Sequence, residues 1–289
     1  MNFTEVAERS SIVARLTGGL GNQMFQYACA RTIADAEDKK LVLDARRLDL
    51  PGMRKYELSN FCVRYDELVR SVPVSPKKSW LGRRIQSRNA ARHEPPPLLE
   101  AHDYRESDPT SQTTDVNGAI RVIGFWQSPN YFFQNPGIQS DLSLTESRLA
   151  EYSNSLPSSR YAIIHVRRGD YLHKKNRKTH QILGIEYYQD AIALIEQKQP
   201  GVPIYAVSDD PEWVSEQNLP LTVLSGESPL QDFYWISKAS SIVCANSTFS
   251  WWAAWLSSAA VIALPSSWEP LASDSARLDS RWHIIDNVF

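Results

Sequence analysis

What the chain lacks narrows it first. Cysteine is scarce: Cys29, Cys62 and Cys244 stand far apart with no Cys-x-x-Cys pair. Zinc and dithiol redox motifs are therefore absent, and three free core thiols in a reducing compartment are expected. A surplus of one charge is missing too, since 31 Lys and Arg face 33 Asp and Glu. No global field favours nucleic acid, so any anion site has to be local. The first ten residues hold acids and no apolar core, so they read as neither signal peptide nor anchor, and a cytoplasmic protein is expected. The longest hydrophobic run, Ala245 to Leu264, is broken by Asn246, Ser247, Thr248, Ser250, Ser257 and Ser258 and closed by Pro265. A membrane-spanning helix is more uniformly apolar.

What is present is ordinary globular composition, 42% hydrophobic and 22% charged, over 289 residues. That length buries a large core and points to two domains. The chain is organised around Tyr161 to Tyr171, where an apolar run ends in His165-Val166-Arg167-Arg168-Gly169-Asp170. Charges at the end of a buried strand cost free energy unless they are paired. In α/β proteins ligands sit at carboxyl ends of strands, and two adjacent guanidinium forks suit a diphosphate. A structural Arg–Asp ion pair is the competing reading. The cell-adhesion tripeptide Arg168-Gly169-Asp170 would need an exposed loop tip, whereas this one directly follows an apolar strand.

The first half opens as β-loop-α-β: Ser11 to Leu16, a glycine loop from Thr17 to Gln23, a helix from Met24, and a strand Leu41 to Asp44. Gly19-x-Gly21 lacks the third glycine of a dinucleotide fingerprint, so a tight structural turn is equally open. Asn22 and Gln23 could both face a ligand. Residues 71–97 are basic, and Lys77 to Arg92 has the spacing of an amphipathic helix that could lie on an anionic membrane or simply face water. His102 to Gly118 reads as a loop. The strand from Ile120 ends in Phe125-Trp126-Gln127-Ser128, aromatics that could stack on a sugar or pack in the core. Ser-rich sequence from Thr145 to Ser159 is the expected joint, giving domains 1–155 and 156–289.

The second half alternates strand and helix, which argues for a doubly wound parallel sheet. Strands end in three polar clusters: His165 to Asp170, Ser208-Asp209-Asp210, and Asn246 to Ser250. In a parallel sheet all three face one edge, as a nucleotide crevice requires.

Three of these segments also carry a family likeness. Gly18-Gly19-Leu20-Gly21-Asn22-Gln23-Met24-Phe25-Gln26-Tyr27, His165 to Tyr171 and Asn246-Ser247-Thr248-Phe249-Ser250-Trp251-Trp252 resemble the bacterial type of α-1,2-fucosyltransferases. The resemblance implies a GT-B-like α/β fold, with two Rossmann-type domains facing across a cleft. It implies inverting transfer from GDP-fucose to the 2-hydroxyl of a galactose-containing glycan, without metal or other cofactor. The N-terminal domain would face the acceptor and the C-terminal one would hold GDP-fucose. By that likeness Arg167 binds the β-phosphate, helped by His165 and Arg168. Asp210 accepts hydrogen bonds from guanine, with Asp209 in reserve. Asn246, Ser247, Thr248 and Phe249 contact nucleotide or phosphates. Gly21 and Asn22 lie near the diphosphate and the reacting sugar, and Trp126 and Gln127 face the acceptor. Asp170 serves the reaction by orienting Arg167 or Arg168. No carboxylate stands out as general base, so the departing phosphate would take the proton. A lipid-linked acceptor would explain a peripheral membrane contact through Lys77 to Arg92. GDP-fucose transfer to another hydroxyl, and a non-catalytic carbohydrate- or nucleotide-binding module, are the rival readings.

Overall fold

The computed structural model describes residues 11–70, 102–105 as backbone, 120–169, 182–267 and 278–286. The expected basic helix Lys77 to Arg92 and the Asp170 carboxylate lie outside the described residues. The chain divides into two compact units, Met1–Ser143 and Leu144–Phe289.

In the first unit β1 (Ser11–Arg15) leads into α1 (Leu20–Ala36) and β2 (Lys40–Asp44), followed by β3 (Glu67–Val69), β4 (His102–Arg105), β5 (Ile120–Ile123) and α2 (Gly137–Asp141). The sheet order is β3-β2-β1-β5-β4, and every pairing is parallel. α1 is buried nearly all round, from Leu20 through Ala34. It is tied down by polar groups: the Tyr27 hydroxyl donates to Asp141 Oδ2 (2.8 Å) and accepts from the Arg64 N–H (2.9 Å), and Arg64 Nε reaches Asp141 Oδ1 at 2.7 Å. β4 corrects the first four residues of the expected loop His102 to Gly118; the rest of it lies outside the described residues. Its polar residues carry no hydrophobic alternation, and its pairing to β5 is made by backbone at a sheet edge.

In the second unit α3 (Glu146–Tyr152) precedes β6 (Ala162–Val166), α4 (Ile185–Lys198), β7 (Ile204–Ser208), α5 (Pro211–Glu216), β8 (Thr222–Leu224), α6 (Pro229–Lys238), β9 (Ser241–Val243), α7 (Thr248–Trp255), β10 (Val261–Pro265) and β11 (Trp282–Ile285). The order is β11-β10-β9-β6-β7-β8, again parallel throughout. The division at Ser143 comes before the expected joint because α3 packs into this unit. Tyr152 is buried against the Tyr234 ring (5.8 Å), and Trp235 Nε1 donates to the Ser155 carbonyl at 2.8 Å.

The apolar run after Ala245 forms the core around α7. Trp251 and Trp252 are fully buried, with ring centroids 5.1 Å apart, and Trp282 of β11 lies 5.9 Å from Trp251. Among the described residues no helix is long and apolar enough to cross a membrane.

Candidate active site

The second unit brings its three polar clusters together. β9, β6 and β7 are adjacent and parallel, so the residues after each strand meet at one edge. Asp209 is the knot. Its Oδ1 accepts the backbone N–H groups of Arg168 (2.9 Å) and Gly169 (3.1 Å), and its Oδ2 takes Arg167 Nη1 at 3.1 Å. A Cβ on Gly169 would meet Asp209 Oδ2 at 2.9 Å, so a side chain there would push the carboxylate off the loop.

Asp210 holds α5 and Arg168. Its Oδ1 caps the helix by accepting the Trp213 N–H (3.3 Å), and its Oδ2 pairs with Arg168 Nε (3.2 Å). The Arg168 guanidinium lies over the Trp213 ring, 3.8 Å from its centroid. Both Asp210 oxygens therefore have work in the framework, and a bond to guanine would have to share them.

His165 is buried beside Phe249, ring centroids 5.6 Å apart, and Phe249 meets Phe233 of α6 at 5.3 Å. Burial, and then the charge of Arg167, push the imidazole down to about pKa 4, with Asp209 opposing. It is neutral at physiological pH, and its buried Nδ1 has no hydrogen-bond partner in the protein. Asn246 is buried at the same edge. Ser247 occupies the cap position of α7 without a side-chain bond to the helix, and Thr248 and Phe249 form its first turn.

Asp232, in the first turn of α6, escaped the sequence reading. α6 runs from β8 to β9, which brings its N-terminal end to this same edge. Asp232 Oδ1 is buried without a partner, and burial raises the carboxyl to about pKa 6. An acid after Ser228-Pro229 looks in sequence like ordinary helix-dipole compensation, so nothing marked it out.

The first unit places its motif differently from expectation. Gln23 is fully buried, not ligand-facing. Its Nε2 donates to the carbonyls of Gly18 (3.0 Å) and Lys55 (2.8 Å), and its Oε1 accepts from the Glu57 N–H (3.0 Å). Gln26 likewise joins the Thr17 N–H (2.9 Å) to the Gly124 carbonyl (3.0 Å). Asn22 Oδ1 accepts from Gln127 Nε2 at 2.9 Å, bringing these two candidates together. Gly18 has φ +79°, and a Cβ there would meet Asn22 Nδ2 at 2.6 Å. Gly21 is buried inside α1. Trp126 is a correction: it is 1% exposed, at φ +57° and edge-on to Tyr131 (5.0 Å), so its ring is core and not a sugar platform. Phe125 beside it is 47% exposed.

Comparison with known proteins gives the family and the fold. The model of glycosyl transferase family 11 matches residues 108–282, more than half of the chain. An α-1,2-colitosyltransferase of Escherichia coli is 27% identical over 86% of this chain and 88% of its own. The O-antigen biosynthesis glycosyltransferase WbnK of Escherichia coli is 28% identical over 83% and 88%. Among solved structures, the fucosyltransferase NodZ from Bradyrhizobium aligns with a TM-score of 0.50 at 14% identity, over 88% of this chain and 95% of that one. The likeness to NodZ is one of fold, of the GT-B type expected from the sequence. NodZ, an α-1,6-fucosyltransferase, has also been solved after soaking with GDP-fucose.

Proposed function

The chain belongs to glycosyl transferase family 11 and is a glycosyltransferase; from that premise we propose that it moves L-fucose from GDP-β-L-fucose to the 2-hydroxyl of a β-galactoside, with inversion. The observation that carries the reading is the meeting of His165, Arg167, Asp209 and the Asn246–Phe249 segment at neighbouring strand ends. In this reading the second unit holds the nucleotide diphosphate and the first unit takes the acceptor.

Departure of GDP builds negative charge on the β-phosphate while the fucosyl carbon becomes oxocarbenium-like. A guanidinium at the departing oxygen stabilises that charge more in the transition state than in the ground state. Arg167 is assigned this task. Its present partner, Asp209, also has two backbone N–H groups, so the loop stays held if Arg167 turns to phosphate. Arg168 stays fixed by Asp210 and Trp213 and adds field. Neutral His165 offers Nδ1 to the donor, as donor or acceptor according to tautomer. Asp232, whose buried Oδ1 has no hydrogen-bond partner and which precedes the Phe233 ring that meets Phe249, joins Asp210 as a candidate for the guanine N–H groups. The acceptor proton passes to the departing phosphate.

The charge is given to a guanidinium and not to a metal ion, so transfer is expected to survive EDTA. Phe125, Asn22 and Gln127 are the acceptor candidates. Similarity to WbnK makes a surface polysaccharide the proposed destination of the product, made at the cytoplasmic face of a membrane. Labelled GDP-fucose with a panel of β-galactosides, followed by linkage analysis, tests the whole reading. A 1,2-linked fucoside of inverted configuration is the expected product. Likeness to a colitosyltransferase favours one alternative, transfer of a colitosyl group, so a nucleotide-activated colitose is run in parallel.

A further inference from the structure

Glu57 is a half-buried carboxylate that the proposed transfer leaves without a task. Its main chain is fixed at both polar groups. The N–H donates to Gln23 Oε1 at 3.0 Å, and the carbonyl accepts from Asn60 Nδ2 at 2.8 Å and from the Asn60 N–H at 3.1 Å. Leu58, the next residue, is fully buried. The Glu57 side chain does not cap its own turn, Leu58–Asn60. It crosses instead to the start of α1, where it accepts the Leu20 N–H. Because α1 follows β1, this puts the carboxylate at the carboxyl end of the first sheet, where parallel sheets take their ligands.

Capping α1 is a structural task, and the helix needs it: Gly19 brings no side-chain cap and the first turn holds no acid. That task takes one of the roughly four lone-pair sites of a carboxylate. Among the described residues no ion pair and no further hydrogen bond engages the others. Burial lifts the carboxyl above its ordinary value, while the charge of Arg54, the Leu20 N–H and the charge of Lys55 hold the rise back. A rigidly held carboxylate that has already shed part of its water gives up less when it takes hydroxyl donors. The same first turn of α1 carries Asn22, which is joined to Gln127. Glu57 and two of the acceptor candidates therefore meet around one helical turn.

We propose that Glu57 grips two adjacent hydroxyls of the acceptor galactose and so selects that sugar. The proposal rests on the reading that the first unit takes a galactoside whose 2-hydroxyl reacts, and it deepens that reading by naming the group that recognises the sugar. Two carboxylate oxygens suit two hydroxyls on neighbouring carbons, each hydroxyl donating to one oxygen. In a galactoside C1 carries the glycosidic oxygen, and here the 2-hydroxyl is the nucleophile. The 3- and 4-hydroxyls are then the adjacent pair left to hold. The 4-hydroxyl is axial in galactose and equatorial in glucose, so a carboxylate fixed in place tells the two apart.

The test measures KM for methyl β-galactoside and for its 3-deoxy and 4-deoxy forms, with wild type, Glu57→Gln and Glu57→Asp. Gln keeps the volume and an oxygen for the Leu20 N–H but loses the charge. Asp keeps the charge and draws it back by one carbon. In wild type each deoxy sugar is expected to have a KM roughly ten- to a hundredfold above the parent, the cost of one hydrogen bond to a charged group. Most of that ratio should vanish in Glu57→Gln, with Asp between and donor KM unmoved. A Glu57 that only caps α1 would weaken all three acceptors alike, so ratios equal to wild type overturn the proposal. So does a wild type that takes the deoxy sugars as readily as the parent. Where Glu57→Gln does not fold, Glu57→Asp carries the comparison and must show the smaller ratios. A second measurement separates this from failure of the transferase reading: the same three sugars are titrated by NMR with GDP present. Should none be fucosylated, a loss of affinity in the deoxy sugars that disappears in the variant upholds Glu57 while the transfer reading falls. Equal affinity for the three sugars, or no binding of the parent, overturns the role of Glu57.

Discussion

The two sheet edges are fastened by different chemistry. In the first unit the loops after β1 and β5 and the 55–57 segment are joined by uncharged amides: Gln23, Gln26, and the Asn22–Gln127 pair. In the second unit the loops after β6 and β7 are joined by ions, Arg167 and Arg168 on Asp209 and Asp210. An amide in the interior has fixed partners, and breaking it leaves unsatisfied groups. A half-buried guanidinium can exchange a carboxylate for a phosphate without losing its charge partner. The amide edge thus reads as a rigid frame; under the proposed function, the ionic edge is where Arg167 would exchange Asp209 for a phosphate.

Arg167→Ala is the strongest way to break that contrast. Removal of a charge-stabilising donor is expected to cut kcat by about 10²–10³-fold. Arg167→Lys should recover little, because it keeps the charge and loses the fork. Initial rates of GDP-fucose turnover on folded protein decide it, and wild-type rates in Arg167→Ala would strip the ionic edge of its catalytic role.

The ionic edge also carries two groups whose pH effects oppose each other. His165 falls to about 4 from 6.5, so between those values the unfolded chain takes up a proton that the fold refuses. Its contribution to stability is present above pH 6.5 and is lost as pH falls towards 4. Asp232 rises to about 6 from 3.8, so the fold keeps a proton that the unfolded chain releases, and stability is lost as pH rises through that window. Each shift corresponds to about 3 kcal/mol at most, less for Asp232 in proportion to its contact with water. Relative to wild type, Asp232→Asn should therefore gain stability from pH 4 to 6, and His165→Gln should gain it from pH 6.5 down to 4. Urea unfolding at four pH values measures both, and curves parallel to wild type would refute them.

On the amide edge the matching change is Gln23→Ala. It strands the Gly18 and Lys55 carbonyls and the Glu57 N–H. A fall of about 2 kcal/mol in unfolding free energy is expected, with no new pH dependence. An unchanged urea midpoint would show that water replaces the amide and that the frame is not rigid.

How much of this was legible in the sequence follows the same divide. The ionic edge was readable because its signal is local: an apolar strand interrupted by His165, Arg167 and Arg168, and repeated clusters after β7 and β9. The parallel rhythm that puts them together was readable too. The amide edge was not. Gln23 looks like a polar loop residue until Lys55 and Glu57, distant in sequence, supply its partners. Trp126 was ambiguous for the same reason, since only the Tyr131 ring and the turn at φ +57° decide which way it faces. Asp232 resembled a helix-start acid, and the short strands β3, β4 and β11 have too few residues to show a period.

The smallest expected effect concerns Phe125, next to that buried tryptophan. The residue is 47% exposed just after β5, one residue from the Gln26-bound Gly124 carbonyl and two from Gln127. An exposed aromatic held by a rigid backbone offers a flat face to a pyranose ring. Such a contact amounts to about 0.5–1.5 kcal/mol. Phe125→Ala is therefore expected to raise acceptor KM roughly three- to tenfold. The donor KM and the urea midpoint should stay near wild type, since an exposed ring adds little to the core. A neutral β-galactoside is the right probe, because it isolates stacking from any charge on the acceptor. If acceptor KM stays put while the urea midpoint drops, Phe125 belongs to the frame like Trp126, and the acceptor's neutral end is held elsewhere on the first unit.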